Sequence, residues 1–187
     1  MTNWGYYVES LPPIMEADEL RTFANLSATD ERLTAILDSV SYAVRDYCGW
    51  HVTPELECTY IGQGEGNLLM LPCMGVTGIV SLTVNGSAVT EYEWTRAGMV
   101  RLKSGAFPDS WRSVTCVFTA GYTSTAVAQT VAQIALNALV AAPGVREEHA
   151  GEVGITYNQT GSGISGGVSI LGRDKEILAP YRKARAW

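Results

Sequence analysis

Residues 114–142 read VTCVFTAGYTSTAVAQTVAQIALNALVAA, and within this stretch the spacing of the apolar residues changes its period. From Val114 to Thr119 the run is rich in β-branched and aromatic residues, the composition of a strand. From Ser124 or Thr125 onward Val127, Val131, Ile134, Ala135, Ala138 and Leu139 recur at three- and four-residue steps, which predicts a helix that Pro143-Gly144 stops. This helix is alanine-rich and nearly uncharged, so it should hide most of its circumference against the chain's other long helix or against a second copy.

Upstream of this junction the β pattern continues. Leu56–Ile61, Leu68–Leu71, Ile79–Val84 and Met99–Leu102 are further short runs of strand formers, separated by Gly, Pro and Asn. Asn85-Gly86 is a tight-turn signal, and Pro72 and Pro108 suit strand ends or edges, because proline offers no ladder donor. The middle of the chain therefore reads as an antiparallel β unit.

Before it the period is helical. Leu33, Ile36, Leu37, Val40, Val44 and Tyr47 form one apolar stripe starting near Asp30. Ser27 or Thr29 can cap its first free N–H groups, Asp30 and Glu31 favour the positive end of its dipole, and Gly49 can end it. A shorter helix over Met15–Phe23 follows Pro12-Pro13, with Asn25–Ala28 as the link. Downstream, residues 144–172 are glycine-rich and costly to order alone, which predicts a mobile or partner-ordered segment. A last helix can start at Arg173, with Pro180 kinking or ending it.

The fold class expected is α+β: a helical core of two long packed helices plus a short N-terminal one (15–49 and 124–142), an antiparallel β insertion (55–122), and an extended C-terminal arm. Residues 1–142 would form the main domain and 143–187 the arm.

The 187 residues suffice for a core without metals or disulfides. Thirteen bases against nineteen acids give a net charge of -6, which argues against a protein built to neutralise phosphates. The charge is uneven: about -7 over residues 1–57, -2 over 58–172 and +3 over 173–187. MTNWGYYVES lacks the basic and apolar regions of a secretory signal, so synthesis in the cytoplasm is expected. The most apolar run, 131–142, is too short to cross ~30 Å of hydrocarbon. Cys48, Cys58, Cys73 and Cys116 are scattered among apolar neighbours and read as buried free thiols.

Chemical motifs are weak. Gly161, Gly163 and Gly166 satisfy G-x-G-x-x-G after a possible strand at Gly154–Tyr157, but too little chain follows for a dinucleotide-binding unit. Ser165 lies in a formal G-x-S-x-G with no histidine after it, so a glycine-serine loop is the better reading. His51 and His149 lack metal-ligand spacing. Glu147, Glu148, His149 and Glu152 form an acidic loop that could serve a small hydrolase or hold a divalent ion, although acid-rich loops are commonplace. No catalytic residue, metal site or cofactor is assigned. The basic, aromatic tail with Tyr181, Arg182, Lys183, Arg185 and Trp187 has an interface composition and is the candidate partner-binding segment, against a solvated terminus as the bland alternative.

The succession LPPIMEADELRTFANL, DERLTAILDSVSYAVRDYCGW, LLMLPCMGVTGIVSLTVNG, GMVRLKSGAFPDSW and VTCVFTAGYTS before an alanine-rich helix resembles the head-tail connector, or adaptor, proteins of long-tailed bacteriophages. The resemblance spans roughly residues 10–140. It implies a non-enzymatic virion protein at the head-tail neck, a ring of twelve copies beneath the portal and above tail-side neck proteins, with DNA passing through without sequence-specific binding. It also implies a C-terminal segment that grips the portal. A tail-completion or other neck protein is the alternative within the virion. The acids of residues 30–46 would repel DNA if they face the channel.

Overall fold

The structure, a computed structural model, describes residues 4–24, 30–140, 147–150, 153–156, 159–161, 164–165 and 168–183. The chain divides into two compact units, one of Met1–Pro12, Cys48–Thr123 and Tyr181–Trp187, the other of Pro13–Tyr47 and Ser124–Pro180. The first holds the main sheets and the second the helices, which makes the protein a mixture of helix and antiparallel sheet, as the α+β expectation has it.

In the β unit, β1 (Tyr7–Val8), β2 (Leu56–Gly62), β4 (Val76–Val84), β5 (Ser87–Ala88) and β8 (Val114–Ala120) form an antiparallel sheet in the order β1-β2-β8-β4-β5. Strand β8 is central and its alternation is complete: Val114, Cys116, Phe118 and Ala120 are buried while the residues between them are half-exposed. Thus β8 carries the hydrophobic half of the stretch that opened the sequence reading. Asn85 and Gly86 both take positive φ, 50° and 78°, as a two-residue hairpin between β4 and β5 requires. A second antiparallel sheet, β3-β7-β6, comprises β3 (Leu68–Met70), β6 (Tyr92–Trp94) and β7 (Met99–Leu102), with Leu69, Val100 and Leu102 buried. Strands β1, β5 and β6 were not expected. The first two have two residues each, too short for a period, and β6 carries Glu93 between its aromatics.

In the helical unit, α1 (Ala17–Ala24) buries Leu20, and α2 (Asp30–Cys48) buries Leu33, Leu37, Val40, Ser41, Val44 and Arg45. The stripe is the one expected. Its ending at Gly49, φ 78°, is also as expected, while the linker Asn25–Ala28 and the caps Ser27 and Thr29 lie outside the described residues. Opposite the stripe, Glu31, Ala35, Asp38, Tyr42 and Asp46 are exposed. Helix α3 (Thr125–Val140) buries Val127, Thr130, Val131, Ala132, Ile134, Ala135 and Ala138. Its N-terminus is capped by Ser124, whose Oγ accepts from Val127 N at 3.4 Å. Its outer face is a row of amides, Gln129, Gln133 and Asn137, with Gln133 Nε2 donating to Asn137 Oδ1 at 3.2 Å. Pro143-Gly144 falls outside the described residues.

Between α3 and α4 (Gly172–Leu178) the described backbone forms two hairpins, β9 (Glu147–Ala150) with β10 (Val153–Thr156), and β11 (Gln159–Gly161) with β12 (Ile164–Ser165). Where the sequence reading had loops, the described residues Glu147–Ala150, Gly161 and Ile164–Ser165 are strand. Strand pairing satisfies backbone groups that glycine content alone suggested would stay unpaired. No described helix is long and apolar enough to cross a membrane.

Candidate functional site

The C-terminal segment was the one place where interface chemistry was expected. Among the described residues it is not extended. Helix α4 starts with Leu171 N donating to the Asp174 carboxylate at 3.0 Å, Asp174 and Leu178 are buried, and Pro180 sits in a 3-10 turn, Ala179–Tyr181, that ends the helix. The local sequence suffices for a helix because Pro180 comes only after the first two turns.

The next three residues join the β unit through their backbone. Trp50 Nε1 donates to Tyr181 O at 2.7 Å, and Lys183 N donates to Cys48 O at 2.9 Å. The Tyr181 ring meets Tyr122 edge-on at 5.4 Å. Tyr181 and Lys183 are half-buried and Arg182 is exposed, while burial holds the Lys183 pKa below its ordinary value. Tyr181, Arg182 and Lys183 therefore come together on the surface that Cys48 and Trp50 provide. Arg185 and Trp187 lie outside the described residues.

That surface belongs to an aromatic cluster which sequence reasoning missed. Tyr6 Oη lies 2.6 Å from His51 Nδ1 and accepts from His51 N at 3.1 Å, while His51 Nε2 is 2.8 Å from Ala120 O. A carbonyl only accepts, so the pattern assigns the ring proton to Nε2 and leaves Nδ1 to accept from the tyrosine. His51 is fully buried and its role is structural. Trp50 packs edge-on against His51 and Tyr122, Tyr6 against Phe118, and the Arg96 guanidinium lies 5.7 Å from the Tyr122 ring centre. Gly121 makes the close approach possible: at φ 145° a Cβ there would lie 2.5 Å from Glu55 Cα and from Pro54 O. The T-A-G-Y and C-G-W-H segments carry these residues, but nothing local says that positions 45 residues apart, such as Tyr6 and His51, will meet.

The other candidates hold no chemistry that the structure assembles. Glu147, Glu148 and His149 lie on β9, and Glu152 is outside the described residues. Gly161, Ile164 and Ser165 lie in the β11–β12 hairpin, not at a strand-to-helix turn, and Gly163 and Gly166 are outside the described residues. Among the described residues no group of three or more His, Cys, Asp and Glu is placed to hold a metal ion. All four cysteines are free and buried, as expected. Burial pushes the thiols of Cys48, Cys58 and Cys116 up to about 12, and that of Cys73 up as well, so they are neutral and unreactive near neutrality.

The architecture is a mixture of helices and antiparallel sheets. No protein-family model matches the sequence, and no curated protein matches it. Solved structures do share the fold. A chain from the neck of an empty GTA (gene transfer agent) particle, computed with C6 symmetry, superposes with a TM-score of 0.63 at 15% identity, covering 97% of both chains. One from the neck of a native GTA particle, computed with C12 symmetry, gives 0.62 at 14%, covering 96% of this chain and 95% of that one. A chain of the native GTA virion gives 0.60 at 15%, covering 97% of both. At such identity the likeness is one of fold.

Proposed function

We propose that the protein is a structural component of the head-tail neck of a phage-like particle, an adaptor that assembles as a homo-oligomeric ring beneath the portal and lets DNA pass. The observation that carries this reading is the likeness to a GTA neck chain along 97% of both chains, at a TM-score of 0.63. A match over nearly the full length concerns the whole architecture and not one common motif. Rings of twelve or six are the stoichiometries that the C12 and C6 symmetries of the GTA necks suggest for this chain.

Further features support the reading. Glu31, Asp38 and Asp46 lie on the exposed side of α2, where they would repel a passing duplex if that side faces the channel. The tail after Lys183 adds Arg185 and Trp187 to a basic terminus and is the segment proposed to grip the portal, with a tail-side neck protein on the opposite face. No enzymatic role is proposed.

Electron microscopy of the purified chain, alone and mixed with portal, tests this function. Closed rings, or rings formed on the portal, are the expected result. A chain that forms no ring and does not decorate portal removes the adaptor reading. Truncation after Lys183 tests the tail with the least disturbance, because Leu178 and the Tyr181 carbonyl are part of the packed structure. The truncated chain is expected to stay folded and to lose portal binding.

A further inference from the structure

The tail leaves the β unit from a place that is both fixed and positively charged. Trp50 Nε1 donates to Tyr181 O at 2.7 Å and Lys183 N donates to Cys48 O at 2.9 Å, so the backbone just before the tail is held at two points. From there the contacts run through rings. Tyr181 meets Tyr122 edge-on at 5.4 Å, and the Arg96 guanidinium lies 5.7 Å from the Tyr122 ring centre. Arg96 is anchored through its own backbone, since its carbonyl accepts from Val76 N at 3.0 Å, and a Cβ at the neighbouring Gly75 would lie 3.0 Å from the Tyr122 ring. Lys183, Tyr181, Tyr122 and Arg96 thus make one strip on the β unit, with a cation at each end.

Neither cation has a counter-charge. The ion pairs of the described residues join Arg21 to Asp18, Arg101 to Glu93 and Lys103 to Glu91, and include neither Arg96 nor Lys183. Glu55, whose backbone packs against Gly121, pairs with neither of them. Lys183 is half-buried, and that burial lowers its pKa with no carboxylate to oppose the shift. An ammonium that has given up part of its hydration without gaining an anion has that pairing still to make, and a cation already held in place pays little ordering entropy to make it. Arg182 and Arg185 add the same sign of charge on a chain whose net charge is -6.

The occupant follows from where the strip lies. Residues 184–187 are the segment proposed to grip the portal, so whatever receives them passes alongside Lys183. A protein carboxylate suits the strip better than DNA does: two cations neutralise too few phosphates to hold a duplex, whereas the rings between them give a bound peptide apolar cover. We infer that the portal presents an acidic segment at the base of the tail, with carboxylates paired to Arg96 and Lys183 across the Tyr122 and Tyr181 rings. The inference rests on the proposed portal-binding role and names the chemistry that the portal brings to it.

Portal binding by the full chain, measured over a salt series, tests this. The variants are Arg96→Glu paired with Lys183→Glu, and Arg96→Lys paired with Lys183→Arg. Parent binding is expected to weaken as salt rises; charge reversal is expected to weaken it by roughly 30-fold or more at low salt, the scale of an interface hot spot. The conservative pair is expected to bind like the parent. Melting temperatures should match throughout, because Arg96 is exposed and Lys183 bonds to Cys48 through its backbone. Should the reversed pair melt lower, Arg96→Gln with Lys183→Gln replaces it. A reversed pair that binds portal like the parent overturns the inference and leaves the adaptor reading intact. Retention of duplex DNA by the parent that reversal abolishes, with portal binding unchanged, assigns the strip to phosphate and overturns it as well. A parent chain that forms no ring and does not decorate portal removes the adaptor reading, and the inference falls with it.

Discussion

The β unit and the helical unit are stabilised by different chemistry. All four cysteines, and every tryptophan among the described residues, belong to the β unit, whose centre is Tyr6, Trp50, His51 and Phe118 locked by ring contacts and by hydrogen bonds through one neutral histidine. The helical unit has neither residue type in its described core, which consists of Leu20, Leu33, Leu37, Val40, Val44, Ile134, Leu178 and several alanines. Aromatic packing with directional bonds fixes one arrangement, whereas aliphatic packing depends mainly on area and shape. The two units should therefore respond differently to the same perturbation.

Alkali should separate them most. The folded thiols are raised from about 9 to about 12 at Cys48, Cys58 and Cys116, and Cys73 is raised too, all by burial. A group whose folded pKa lies above its unfolded one favours the folded state below the unfolded value, and this stability is lost as pH rises toward the folded value. The loss begins near pH 9 and amounts to at most about 1.4 kcal/mol per thiol for each pH unit. Tryptophan fluorescence, which reports the β unit, is expected to change at lower pH than far-ultraviolet circular dichroism, which is dominated by the helices. Thiolate absorbance that rose in the folded protein at pH 9 would contradict the burial on which this rests.

Truncating a core residue in each unit makes the same distinction at neutral pH. Trp50→Ala removes a fully buried indole together with its bond to Tyr181 O, and should cost about 3–5 kcal/mol. Leu37→Ala should cost about 2–5 kcal/mol in the helical unit. Urea melts followed by both signals check the comparison. If fluorescence and dichroism shift together in both variants, the units unfold as one.

How far each unit could be read from the sequence follows from the same contrast. Helix α2 was readable because Leu33, Leu37, Val40 and Val44 repeat locally, and β8 because its composition marks a strand whose alternate residues are then buried. Asn85-Gly86 identified its hairpin because only a few residue types tolerate two successive positive φ values. The aromatic cluster was not readable. Tyr6 looks like any N-terminal tyrosine until a strand of two residues, Tyr7–Val8, pairs with β2 and brings it to His51. The hairpins before α4 were hidden because glycine content outweighed the β-branched residues of Val153–Thr156. Of the candidate tail, composition indicated an interface, but the bonds from Trp50 and to Cys48 come from chain segments more than 130 residues away and leave no local trace.

Tyr6→Phe is a finer probe of the directional half of the comparison. It keeps the ring against Phe118 and removes the hydroxyl that serves His51 at Nδ1 and at its backbone N. Leaving buried partners unsatisfied costs about 1–3 kcal/mol. A thermal melt within error of the parent would show that packing alone holds the cluster.

The smallest effect is expected on the exposed side of α2, where stability and assembly should come apart. Tyr42 is 62% exposed, between the carboxylates of Asp38 and Asp46 on the same face. Tyr42→Ser removes little buried area, so stability should stay within about 0.5 kcal/mol of the parent. The acids beside it are proposed to face the DNA channel, where a neutral side chain can be exchanged freely but a cation cannot. Asp38→Lys paired with Asp46→Lys should therefore also leave the melt nearly unchanged, yet introduce salt-sensitive binding to duplex DNA in the assembled ring. Measured against the Tyr42→Ser ring, retention of DNA by the lysine variant would place this face on the channel. A lysine ring that ignores DNA at low salt would place the acids on the outer wall, leaving α2 to serve only the core it buries.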